Sequence, residues 1–133
     1  YLDERRVAGW STHYDKPYSH VTTLEMLKAV PLHAKWLFVG ARNPEGKIAI
    51  GAFGARDEVL KDTDHNETHE HNGVFWYLVI ESSFGFAPVA DVDLRSADCS
   101  YVHGDRRLSW HIHDEQGGYR AGALEGLNGD DGV

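Results

Sequence analysis

Lys35-Trp-Leu-Phe-Val-Gly-Ala-Arg42, Asn43-Pro44-Glu45-Gly46 and Lys47-Ile-Ala-Ile-Gly-Ala-Phe53 are the three consecutive pieces that decide the fold. Two apolar runs rich in β-branched and aromatic residues flank a cluster of turn formers, the pattern of a β-hairpin. Both runs carry Gly and Ala, which predicts close packing against something bulky, with the four Trp as candidates.

Outward from the hairpin the signal stays mostly extended. Val74-Phe-Trp-Tyr-Leu-Val-Ile80 is apolar throughout and reads as a strand buried on both faces. Arg107-Leu-Ser-Trp-His-Ile-His113 alternates, with Leu108, Trp110 and Ile112 on one face and Ser109, His111 and His113 on the other. Gln116-Gly117-Gly118 turns that strand into Tyr119-Arg120-Ala121. Val89 to Leu94 alternates weakly and is expected to be a strand, whereas Ser82 to Pro88 reads as a turn with aromatic plugs. Residues 55–73 read as a long charged connection. A short helix is expected from Thr23 to about Val30: Thr22 and Glu25 have capping-box spacing and Pro31 stops it. The expectation is a single mainly β domain over residues 1–133, a β-sandwich or jelly roll with one short N-terminal helix. A small β-barrel is the alternative.

Composition narrows the class. The 133 residues carry 13 Lys and Arg against 21 Asp and Glu, a net charge of −8, with nine His outside that sum. Protonating every His would carry −8 to about +1, so exposed imidazoles would make this surface pH-sensitive. An acidic chain is a poor reader of phosphate backbones, so no nucleic-acid partner is expected. No apolar run approaches the roughly 18 residues of a membrane-spanning helix. Cys99 is the only cysteine, so no disulfide can close within the chain. Tyr1 stands where an initiator Met would, which points to a processed end or a piece of a longer protein. Asn66-Glu67-Thr68 is a glycosylation sequon, and the two together lean toward an extracellular, secreted protein.

The candidate chemistry sits in histidines, acids and aromatics. His111 and His113 share a strand face, and His69 and His71 precede the buried strand with Glu67 and Glu70 beside them. Were the two pairs to meet, their nitrogens could hold zinc or a non-haem iron. Asp62-x-Asp64-x-Asn66 has the opening spacing of a calcium loop, although Glu67 and Gly73 stand where an EF-hand needs Gly and Glu. Neither metal is required by the sequence. Nucleophilic catalysis has little support: Ser109, His111 and Asp114 are near in sequence, but there is no nucleophile elbow, P-loop or dinucleotide-binding glycine pattern.

Trp10, His13, Tyr14 and Asp15 interleave an aromatic with polar side chains, and Tyr119-Arg120 lies beside two glycines. Sugars bind by stacking an apolar ring face on an aromatic while polar groups take the hydroxyls. The reading is therefore a non-enzymatic recognition module, lectin-like, for a glycan or other small polar ligand. Its expected ligand-binding residues are Trp10, His13, Asp15, His111, His113, Tyr119 and Arg120. The alternatives are an interaction domain of a homo-oligomer or larger assembly, and a metal-dependent β-fold enzyme built on His69, His71, His111 and His113.

Overall fold

In this computed structural model the structure describes residues 10–16, 20–65, 67–90, 108–112 and 119–121. The elements run α1 (Leu24–Lys28), β1 (Trp36–Arg42), β2 (Ile48–Ala55), α2 (Arg56–Val59), β3 (His69–His71), β4 (Val74–Val79), β5 (Ser83–Ala87), β6 (Leu108–His111) and β7 (Tyr119–Ala121). The chain is mainly β, as the sequence implies, with one two-stranded and one five-stranded antiparallel sheet.

Helix α1 starts one residue later than the capping-box spacing suggests. Thr23 is the cap, its Oγ1 accepting from the Met26 amide at 3.3 Å. Thr22 is buried instead, and its hydroxyl lies 2.6 Å from the Tyr14 hydroxyl.

The hairpin forms as expected. Asn43 organises its turn by accepting from the amides of Glu45 and Lys47 through Oδ1, and Gly46 supplies the left-handed φ of 83°. Strands β1 and β2 pair from Trp36–Ala55 to Ala41–Ile50, with a bulge before Arg42. Alternation gives the hairpin two unlike faces. Leu37, Val39, Ala41, Ile50 and Ala52 pack into the core, while Trp36, Phe38, Gly40, Gly51 and Phe53 form the outer face. The glycines make room for other neighbours than the tryptophans: the Phe38 ring lies across Gly40 and Gly51, and the His71 ring lies against Gly54.

The five-stranded sheet has the order β3-β4-β5-β6-β7. Three expectations change here. The charged connection after Ala55 begins with a turn of helix, α2, and ends in the strand β3. Asn72 and Gly73, with φ of 53° and 80°, join β3 to β4 in a two-residue turn of the primed hairpin kind. Ser83–Ala87 is a fully buried strand, not a turn: Phe84 and Phe86 face the core while Ser83, Gly85 and Ala87 fill the tighter opposite side. Val89 and Ala90 lie outside any strand, and the remainder of the expected strand to Leu94 lies outside the described residues.

Trp76, Leu78, Phe84, Phe86, Leu108 and Ile112 make the core with Ala41 and Ala52 of the hairpin and Val59 and Leu60 beyond it. Each large side chain so buried contributes roughly 1.5–3 kcal/mol. Trp76 and Phe86, directly opposite in the ladder, meet with ring centroids 5.3 Å apart and planes tilted by 56°. The second face of this sheet is buried too, through Tyr77, Ser83 and Ser109, so the polar side read from Ser109 is no solvated surface.

The two sheets join through side chains that replace a missing strand. Arg56 N–H donates to Lys35 O, which fixes the ladder's phase and leaves the backbone groups of Phe53 and Ala55 facing away from β1. The Ala55 amide donates to His71 Nε2 at 2.9 Å, and Asn72 Nδ2 donates to Phe53 O at 2.6 Å. The outer edge of β2 is thus capped by the β3–β4 turn.

Candidate functional site

The hairpin's outer face carries the most unusual surface in the described structure. Trp36 is 53% exposed, Phe53 50% and Trp10 44%, although each is large and apolar. Strand alternation puts Trp36 and Phe38 on one side of β1, and Phe38 faces Phe53 across the ladder. Trp10 reaches this pair from the N-terminal segment, its ring centroid 6.4 Å from both Phe38 and Phe53, edge-on to Phe38 and tilted to Phe53. Such contacts are worth about 0.5–1.5 kcal/mol each beyond buried area. The glycines beneath keep the platform flat. A methyl group on Gly40 would come within 3.0 Å of the Phe38 ring and 2.7 Å of the Ile50 carbonyl oxygen.

Polar groups border the aromatics. Asp15 forms an ion pair with Arg42 at the turn end of β1, which lays residues 10–15 along the hairpin. Tyr14 contributes its bond to Thr22 and a ring contact with His20, and His13 is exposed. Asn72 stands at the β2 border. Of the expected ligand-binding set, Trp10 and Asp15 therefore lie along one surface, and His13 falls between them in sequence. His111 lies opposite Ser83, and Tyr119 and Arg120 lie opposite Trp110 and Ser109, all in the five-stranded sheet. His113 lies outside the described residues. Trp36, Phe38 and Phe53 are not among the residues expected from the sequence to bind a ligand. The period-2 placement of Trp36 and Phe38, opposite Leu37 and Val39, was the available signal.

Among the described residues, His69 and His71 do not meet His111. Two strands separate β3 from β6, and His111 sits three residues along the ladder from the level of His69, so the two positions stand roughly 17 Å apart. His71 spends Nε2 on the Ala55 amide, which makes it a joint between sheets. His69 is mostly enclosed, 17% exposed, between β3 and α2. Glu58 Oε2 lies 3.5 Å from its Nε2, and neither ring nitrogen has a hydrogen-bond partner. Burial holds the His69 pKa below its ordinary value; Glu58 pulls it up, Lys61 and His71 push it further down, and burial prevails.

Among the described residues no group of three or more His, Cys, Asp and Glu is placed to hold a metal ion. Asp62 of the expected calcium loop is ion-paired with Lys28 at 2.9 Å, and Thr63 between Asp62 and Asp64 is bound to Leu78 through its amide and its hydroxyl. Asp64 is exposed, and Asn66 lies outside the described residues. No helix in the described residues is long and apolar enough to cross a membrane. No protein-family model, curated protein or solved structure matches the chain.

Proposed function

We propose that the chain is a non-enzymatic recognition module whose binding surface is the outer face of the β1–β2 hairpin, taking a saccharide by ring stacking. One observation carries the reading: Trp10 meets Phe53 and Phe38 on the glycine-lined outer face that also carries Trp36, and Trp10, Trp36 and Phe53 are each about half exposed. Exposed apolar surface of this kind marks interaction sites more often than chance. A sugar presents an apolar C–H face to such rings and needs polar partners at the rim, where the Asp15–Arg42 pair and Asn72 stand.

A glycan array screened at neutral and mildly acid pH tests this. Expected is binding that falls about tenfold or more, some 1.4 kcal/mol, in Trp36→Ala and in Phe53→Ala with little change in melting temperature. An array blank at both pH values overturns the saccharide reading.

A further inference from the structure

We propose that β1 pairs edge-to-edge with β1 of a second copy of this chain, joining two hairpins into one continuous antiparallel sheet. The ladder phase set by Arg56 and Lys35 directs the N–H and C=O groups of Trp36, Phe38 and Gly40 away from β2. No hydrogen bond of the described residues satisfies them. An unpaired strand edge is a template for another strand, and folded proteins ordinarily blunt it.

The other described edges are blunted. His71 and Asn72 cap β2. Strand β3 is three residues, His-Glu-His, and β7 is three residues long. Strand β1 has seven residues and, from Trp36 to Ala41, no charge and no proline. It also lies on the far side of β2 from the joint with the five-stranded sheet.

A second copy fits this edge in chemistry and in charge. A two-fold axis at Phe38 pairs Trp36 of each copy with Gly40 of the other, a large ring beside a residue without a side chain. About six backbone hydrogen bonds would form. Lys35 of each copy then falls opposite Ala41 of the other, next to the Asp15–Arg42 ion pair, so a cation meets a neutralised end and not an unpaired cation. The molecule's excess of acid lies elsewhere: residues 35–56 hold Lys35, Arg42, Lys47 and Arg56 against Glu45 alone. The pairing does not depend on a saccharide, and it would put both aromatic faces on the same side of the shared sheet.

The test is ligand-free. Light scattering behind size exclusion over a concentration series is expected to show a dimer, with amide exchange at Trp36, Phe38 and Gly40 slowing as concentration rises. Trp36→Pro removes one outward donor and no bond to β2, so it is expected to give a folded monomer. A wild-type monomer at every concentration overturns the proposal, as does a dimer that Trp36→Pro leaves intact. Should that variant fail to fold, concentration-independent exchange at the three wild-type amides overturns it alone.

Discussion

Gly85 sits between Tyr77 and Ser109 in the ladder, on the tighter face of the five-stranded sheet. A Cβ there would overlap the Leu108 carbonyl and come 2.8 Å from the Tyr77 hydroxyl, which itself donates to that carbonyl at 3.3 Å. Two of the three obstacles are backbone, so the site cannot relax by a rotamer change. Gly85→Ala is expected to cost about 3 kcal/mol or more. Gly46 is the useful contrast: its φ is positive but nothing lies within 4 Å, so Gly46→Ala should cost about 1 kcal/mol, mostly backbone strain. Chemical denaturation of both variants checks the ordering, and equal costs would mean that close approach is not why Gly85 is glycine. The same residue explains a misreading. In Ser83-Phe-Gly-Phe-Ala87 the glycine looks like turn chemistry, but its role is strand-to-strand proximity, which no local pattern displays.

At the scale of elements, the junction between hairpin and sheet depends on two side chains from one turn. In the sequence His71 reads as a ligand because it pairs with His69 beside Glu67 and Glu70; its nitrogen in fact receives the Ala55 amide. The Asn72-Gly73 pair was a legible hairpin signal next to it, and it marks β3, a strand with no apolar residue to announce it. The first hairpin and β4 were readable because their apolar runs and turn residues are contiguous in sequence. The aromatic site was not, because Trp10 meets Phe38 and Phe53 only after the chain has folded back on itself. The joint has its own consequence. His71→Ala would strand the Ala55 amide and open a gap beside Gly54, costing about 1–3 kcal/mol. Amide exchange should rise first at Ala55 and along β2, with β4 and β5 changing last. Uniform acceleration throughout would mean that the two sheets do not separate as units.

For the whole molecule, the nine histidines make acid the natural stress, yet they do not act alike. His13, His33 and His65 are exposed. His69 is enclosed between β3 and α2 with its nitrogens unpartnered, and burial keeps its pKa below the ordinary value. Above about pH 6.5 the ring is neutral in folded and unfolded chains alike, so it leaves stability unchanged there. As pH falls below that point the unfolded chain takes the proton first, and the folded state loses stability until its own lower pKa is passed. Glu58 at 3.5 Å softens this loss without reversing it, since the net shift is downward. Thermal midpoints measured from pH 7.5 to 5 should therefore fall more steeply in the wild type than in His69→Gln, a ring-free variant that cannot titrate. Parallel curves would place the acid sensitivity elsewhere. A wild-type curve that rose on acidification, while the variant's did not, would mean that the Glu58 pairing outweighs burial and that protonation fastens α2 to β3 instead of loosening it.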